Sequence, residues 1–287
     1  MRSEIMTVSA LVDLFRQELV PVYGKGEVEQ FITLAFEDVL DYSKIDIFMN
    51  GQEAIPSGLV ARFFEILENL KESKPIQYIL GKTVFYGLPL QVNKNVLIPR
   101  SETEELIHWI LQDDGKKPKT ILDLGTGSGC IALALKDQIK SARVYGADIS
   151  VAALNVAKNN ALDNDLQVEF FQFDIISQES LGFMKFDLMV SNPPYVRISE
   201  KEWMEKNVLN HEPHPAIFVE EEDPLIFYRK IVDLAEGHLN KQGRLFFEIN
   251  EAYGAEVLQL LKDRGFENVT LKKDFNGKDR MVRGLKN

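Results

Sequence analysis

The sequence predicts an α/β chain: a doubly wound, mostly parallel sheet, preceded by an N-terminal helical bundle domain and joined to it by a β-hairpin connector. Three observations carry this. From Arg100 onward, short β-rich runs alternate with helix-length amphipathic segments, the pattern of a parallel sheet covered by helices on both faces. Before residue 80, apolar residues recur at three- and four-residue spacing instead. Between the two, "KTVFYGLPLQVNKNVLI" holds two β-rich runs around Gly87 and Pro89, then a turn at Asn93 to Asn95. The expected division of the 287 residues is 1–80 helical, 81–99 hairpin and 100–287 α/β, and a chain of this length suits two domains better than one core.

In chain order, "VSALVDLFRQELV", "EVEQFITLAFEDVLDY" and "GLVARFFEILENLKES" are the bundle helices, and "NGQEAIPSG" breaks the second from the third. "SETEELIHWILQD" opens with the signature of a capping box, Ser101 accepting from the Glu104 backbone N–H while the Glu104 side chain reaches back. Strands are expected at "TILDL", "ARVYGAD", "QVEFFQFD", "FDLMVS", "GRLFFEI" and "NVTLKKD". Helices are expected at "CIALALKDQI", "SVAALNVAKNNAL", "PLIFYRKIVDLAEGHL" and "EAYGAEVLQLLKDRG".

Composition narrows the function classes. Hydrophobic residues at 45% and charged residues at 27% are globular values, far from a disordered chain. No apolar stretch approaches the ~20 residues of a membrane helix, and the start "MRSEIMTVSALVDLFRQELV" reads as a mature helix, not a signal peptide. A single cysteine, Cys130, builds neither a disulfide framework nor a zinc site, and His108, His211, His214 and His238 are scattered, so a cytoplasmic, metal-free chain is expected. The net charge of −11 argues against broad nucleic-acid backbone binding. The first 75 residues are acidic on their own, with seven Lys/Arg against thirteen Asp/Glu.

The first chemistry-bearing stretch is "ILDLGTGSGC". A strand runs into Gly125, Gly127 and Gly129, which let the backbone turn sharply and approach a ligand, and a helix N-terminus lies just beyond. Some 20 residues on, "YGADIS" ends a strand in Asp148, an acid able to accept both hydroxyls of a ribose. Strand, glycine loop, helix, strand and acid form the layout of a nucleoside-cofactor site. Cys130 breaks the dinucleotide fingerprint at its sixth position, no Walker lysine is present, and Asp123 suits a positively charged ligand better than a pyrophosphate. With Asp123, Gly125, Thr126, Gly127, Ser128 and Gly129, the stretch resembles the first motif of class I S-adenosylmethionine-dependent methyltransferases. That resemblance implies S-adenosyl-L-methionine as cofactor, Asp174 of "FQFDI" facing the adenine amino group, and Ile175 flanking the ring.

The second stretch is "VSNPPYVR". Adjacent prolines end a strand and stiffen the peptide beyond it. Asn192, Pro193, Pro194 and Tyr195 resemble the catalytic motif of methyltransferases that alkylate a planar nitrogen, whether an exocyclic base amine or a side-chain amide. The lone pair of such a nitrogen is delocalised. Asn192 Oδ1 and the Pro193 carbonyl can each accept one N–H, aiming the nitrogen at the methyl carbon, while Tyr195 can stack on the planar group. Asn192 thereby also borders the cofactor.

"KPIQYILGKTVFYGLPLQVNKNVLIPRSETEELI" then resembles the connector of the HemK/PrmC family, with Pro75, Gln77, Tyr78, Gly81, Phe85, Pro99, Arg100, Glu102, Thr103 and Glu104 at the family's positions. Ser101 replaces a proline and is expected to cap the helix equally well. "HEPHPAIF", "EIN" and "DFNGKDRMVRG" extend the likeness, although "VEEEDPL" lacks the family's glycine-rich run. The resemblance implies methylation of the glutamine N5 in the Gly-Gly-Gln tripeptide of peptide chain release factors, with the helical domain helping to dock the protein substrate. A monomer without membrane or nucleic-acid partners is expected. The rival reading, an adenine N6 or guanine N2 methyltransferase of nucleic acid, would call for a basic recognition domain where this chain has an acidic one. Arg100 is expected to pair with a carboxylate, Cys130 to pack a helix, and His211 and His214 to lie in a substrate-side loop.

Overall fold

The computed structural model describes residues 6–287. The first residues of the expected helical start lie outside the described residues. The chain divides into two compact units, one running through Gly81 and including Glu205–His211, the other comprising Lys82–Met204 and Glu212–Asn287.

The first unit is helical: α1 (Val8–Tyr23), α2 (Lys25–Leu40), α3 (Lys44–Met49), α4 (Ser57–Lys71), α5 (Ile76–Leu80) and, later in the chain, α9 (Lys206–His211). Its core is the meeting of three stripes: Leu11, Phe15 and Leu19 of α1, Val28, Ile32 and Phe36 of α2, and Phe63, Ile66 and Leu70 of α4. Phe15, Phe36 and Phe63 are wholly buried, each contributing about 2–3 kcal/mol over an exposed ring. Two short helices were not expected from periodicity. α3 forms because Ser43 and Asp46 cap each other reciprocally. Pro75 starts α5, and Gly81 ends it in the left-handed region.

The second unit begins with the hairpin β1 (Lys82–Phe85) and β2 (Leu88–Gln91), whose register pairs Phe85 with Leu88. Tyr86 and Gly87 both have positive φ, the turn geometry that matches strand twist. Phe85 and Leu90 are buried in the same cluster as Ile121 and Leu188 of the sheet, so the hairpin is part of this unit's core.

The sheet contains β3 (Thr120–Leu124), β4 (Arg143–Asp148), β5 (Val168–Gln172), β6 (Phe186–Ser191), β9 (Leu239–Glu248), β10 (Phe266–Lys273) and β11 (Asp279–Lys286); β7 (Val196–Arg197) and β8 (Phe218–Val219) form a separate two-stranded ladder. Strand order is β10-β11-β9-β6-β3-β4-β5. Neighbours from β9 to β5 are parallel, and β11 runs antiparallel to both β9 and β10. Apolar faces of α6 (Ser101–Gln112), α7 (Cys130–Gln138), α8 (Val151–Asp163), α10 (Ile226–His238) and α11 (Gly254–Asp263) join strand residues in the two buried clusters flanking it.

The expected capping box of α6 does not form. Arg100 is the N-cap residue, Ser101 donates its hydroxyl to Glu102 at 3.0 Å, and no side chain caps the helix. The reason lies in the hairpin: the Tyr86 backbone N–H donates to Glu104 Oε1 at 2.6 Å, taking the carboxylate the box would need.

Strand order locates the switch point. The chain leaves β3 toward β4 and β5 on one side and returns to β6 and β9 on the other, so a crevice opens beyond the carboxyl ends of β3 and β6. Leu124 pairs with Ser191 in register, so the glycine loop and Asn192 leave adjacent strands at the same level.

Candidate active site

On the β3 side, Gly125, Gly127 and Gly129 all have positive φ. Gly125 and Thr126 both donate backbone N–H groups to the Ala147 carbonyl, at 2.8 and 2.9 Å, folding the loop over the end of β4. A Cβ at Gly125 or Gly127 would meet nothing within 4 Å, so the backbone conformation demands glycine there and the space beside it stays open. At Gly129 the pressure is steric as well, since a Cβ would lie 3.1 Å from Ala157 Cβ.

Asp123 is fully buried at the end of β3. Its Oδ2 accepts from the Thr126 hydroxyl at 2.6 Å and the Ala132 N–H at 3.3 Å, while Oδ1 is buried without a partner. Burial pushes its carboxyl up to about 7. Asp148, ending β4, accepts from the Gly127 N–H at 2.9 Å and the Ser150 N–H at 2.8 Å, and burial raises it too. The Ser128 carbonyl is held at 2.9 Å by the buried Asn160 amide of α8, which also bonds both backbone groups of Gln91 in the hairpin. An orphaned buried carboxylate oxygen, an open glycine turn and a pinned acid suit a nucleoside cofactor that carries positive charge.

Asp174 comes just after β5. Its oxygens accept from the Ile176 N–H at 2.9 Å and the Ser177 hydroxyl at 2.6 Å, and that hydroxyl holds the carboxyl below its usual range. It is therefore a turn-forming aspartate whose charge is kept at the edge of the crevice. Ile175 is buried among Leu122, Leu124 and Ala147.

On the β6 side, Pro193 is buried and Asn192, Pro194 and Tyr195 are half-buried. Asn192 Nδ2 donates to Thr103 Oγ1 at 3.2 Å, and Thr103 donates in turn to Glu248 Oε2 at 2.6 Å. Tyr195 donates its hydroxyl to Glu248 Oε1 at 3.1 Å, and Asn250 Nδ2 donates to the Tyr195 carbonyl at 3.1 Å. The Tyr195 ring packs against the main core, and burial together with the Glu248 charge pushes its phenol far above the ordinary value. Tyr195 is thus anchored by its hydroxyl, a constraint the stacking expectation did not include.

Thr103 enters from the first turn of α6 and Glu248 from the last residue of β9, next to β6. Sequence reasoning gave neither a role in the site, although Glu248 could have been found by the rule that found Asp148: an acid ending an apolar strand at the carboxyl edge. Arg100 pairs with Glu212 at 2.5 Å, the carboxylate partner expected of it, and this buried carboxylate also accepts from the Ile98 N–H. Burial raises the Cys130 thiol to about 12, which suits packing and not nucleophilic chemistry. His214 stands edge-on to Phe218 with ring centres 5.2 Å apart.

Two family descriptions match the chain: Methyltransferase small domain over residues 103–211, and PrmC N-terminal domain over residues 24–81. The release factor glutamine methyltransferase of Flavobacterium psychrophilum is 44% identical over 94% of this chain and 95% of its own length. That of Bacteroides thetaiotaomicron is 41% identical over 93% and 96%. Among solved structures, the catalytic domain of hMettl16 in complex with a MAT2A 3′UTR hairpin superposes with a TM-score of 0.56 at 17% identity, covering 89% of this chain and 90% of that one. A methyltransferase from Pyrococcus furiosus gives 0.51 at 18%, covering 80% and 99%. These structural likenesses carry the class I methyltransferase fold alone.

Proposed function

Because the chain belongs to the release factor glutamine methyltransferase family, we propose that it methylates the side-chain amide nitrogen of the glutamine in the release factors' Gly-Gly-Gln tripeptide. S-adenosylmethionine is the methyl donor and, when bound, supplies an electrophilic methyl on a cationic sulfur. The residues of the chain do the rest. The glycine loop and Asp148 hold the nucleoside, Asp174 and Ile175 border the base, and Asp123 offers a countercharge. Asn192 Oδ1 and the Pro193 carbonyl each accept one hydrogen of the substrate amide, so the nitrogen's electrons point at the methyl group and tetrahedral character is favoured as the bond forms. The C–N bond would form as the methyl–sulfur bond breaks, the electron pair staying on the sulfur, and the cationic nitrogen would then lose its proton to water without a strong base. Pro194 stiffens the turn, and Tyr195 steadies it through its hydroxyl.

The observation that carries this reading is the pairing of Leu124 with Ser191, which brings the cofactor loop and the amide-gripping motif to neighbouring strand ends. The helical residues 1–80 we read as a substrate-docking domain, residues 81–99 as a connector and 100–287 as the methyltransferase domain. We also read the chain as a cytoplasmic monomer that does not bind nucleic acid. The net charge of −11 supports the reading that it does not bind nucleic acid, and no helix among the described residues is long and apolar enough to cross a membrane.

The test mixes purified protein, methyl-labelled S-adenosylmethionine and a release factor, then maps the label by peptide sequencing. Label on the Gly-Gly-Gln glutamine is expected, and label on any other residue overturns the assignment. Asn192→Ala should lower kcat about 100-fold or more while cofactor affinity stays near wild type.

A further inference from the structure

We propose that Thr103 and Glu248 are positioning residues that decide which end of the Asn192 carboxamide faces the substrate. This rests on the reading of Asn192 as the amide's acceptor. The two ends of a carboxamide are nearly equal in size, so sterics barely distinguish them, and only hydrogen-bond polarity sets which one turns outward. For a substrate amide the choice is decisive: outward Oδ1 accepts its N–H, whereas outward Nδ2 would set donor against donor.

The geometry supplies the polarity step by step. An ionised carboxylate only accepts. Glu248 accepts twice, from Tyr195 at 3.1 Å and from Thr103 at 2.6 Å. The single Thr103 proton is thereby committed to Glu248. Its oxygen can then only accept from Asn192, which must present Nδ2, found at 3.2 Å, and turn Oδ1 away. The shorter of the two carboxylate contacts lies on this relay. Were residue 248 a donor instead, Thr103 would accept from it and pass its own proton to Asn192 Oδ1, reversing the carboxamide.

Burial strengthens the case. Glu248 is 1% exposed and Thr103 2% exposed, so no water competes for the bond between them. Burial raises the Glu248 carboxyl above its usual value, a cost that packing alone would not require of this strand end. A fold needing only shape at this position is served by Gln or Met.

Four variants decide the matter: Thr103→Val, Thr103→Ser, Glu248→Gln and Asn192→Ala. For each, kcat and KM toward a release factor, cofactor affinity by calorimetry and Tm are measured. Thr103→Val keeps the shape and removes the hydroxyl; Glu248→Gln keeps the shape and adds a donor. Thr103→Val should lose about 10- to 100-fold in kcat with little change in substrate KM or cofactor affinity, and Glu248→Gln should lose as much where its NH2 faces Thr103 and little where its oxygen does. Thr103→Ser, which keeps the hydroxyl, should recover most of the kcat; a merely structural role would not distinguish Val from Ser in this way. If Asn192→Ala is inactive while Thr103→Val and Glu248→Gln turn over like wild type, the relay is wrong and the role of Asn192 stands. If Asn192→Ala is itself fully active, the underlying reading falls. Should Thr103→Val fail to fold, Thr103→Ala compared with Thr103→Ser decides, and wild-type kcat for Thr103→Ala overturns the proposal.

Discussion

Replacing Asp123 with asparagine separates charge from shape in the glycine loop. Asparagine's oxygen can take over the bonds from Thr126 and Ala132, leaving its NH2 where Oδ1 now has no partner. In the ligand-free chain, burial raises the carboxyl from an ordinary 3.8 to about 7. That gap corresponds to about 4 kcal/mol against the charged form. The folded-state value lies above the unfolded one, so the unfolded chain gives up the proton first. The resulting destabilisation is absent below pH 3.8, grows between 3.8 and about 7, and is complete above 7. Asp123→Asn lacks this dependence and carries instead a pH-independent cost of about 1–3 kcal/mol for its buried, unpaired donor. Between pH 5 and pH 8 the stability difference should therefore move in the variant's favour by about 3 kcal/mol. Urea unfolding of both proteins without cofactor, at four pH values across that range, reads it directly. A difference that stays flat with pH would refute the buried-charge reasoning. With S-adenosylmethionine present at pH 8 the variant's lead should shrink: losing the countercharge should weaken binding about tenfold, equivalent to about 1.4 kcal/mol, and an unchanged Kd would remove Asp123 from the cofactor's surroundings.

The other expectations concern the scaffold that holds this loop. Asn160→Leu leaves a backbone N–H and two carbonyls without their bonds from the buried amide, which should cost about 3–5 kcal/mol in urea unfolding and weaken cofactor binding through Ser128. Asp113→Ala strips a buried carboxylate from Arg244 and Arg283, and leaving Arg244 uncompensated should cost about 3–5 kcal/mol, seen as a lowered urea midpoint. Gly146→Ala would put a Cβ 2.6 Å from the Phe170 ring and 2.9 Å from Thr126 Oγ1. It should cost about 1–3 kcal/mol and, by displacing the Thr126 hydroxyl from Asp123, raise the cofactor Kd by calorimetry.

The alternation after Arg100 and the three helical stripes were legible because each is written locally, in the period of buried residues. β3 and β6 have the bounds read from "TILDL" and "FDLMVS" because both faces of each are covered and their apolar runs end at polar or proline residues. α3 and α5 were not legible as helices: at six and five residues they are too short to show a period, and caps instead of stripes define them. The expected capping box failed for the opposite reason. Its signature is local and present, but the Glu104 carboxylate serves a backbone N–H eighteen residues earlier in the chain. Competition between a local partner and a distant one is invisible to any window of sequence.

The same limit explains the site. The Asn-Pro-Pro-Tyr tip could be read because its chemistry is contiguous, whereas Thr103 meets Glu248 across 145 residues. One rule is nonetheless written in the chain: "YGAD", "FQFD" and "FFE" each place an acid at or just past the end of an apolar strand. Pattern alone cannot sort the three, since all have the same form. Strand order sorts them. β4 and β5 lie on the far side of β3 from β6, so Asp148 and Asp174 fall on the side of β3 away from the Asn-Pro-Pro-Tyr tip, the side our proposal gives to the nucleoside. β9 lies beside β6, with Phe247 paired to Ser191, so Glu248 falls next to the Asn-Pro-Pro-Tyr tip and is pinned to Tyr195 and Thr103. Three acids of one pattern are thus set on two sides of β3 by which neighbour the sheet gives each strand.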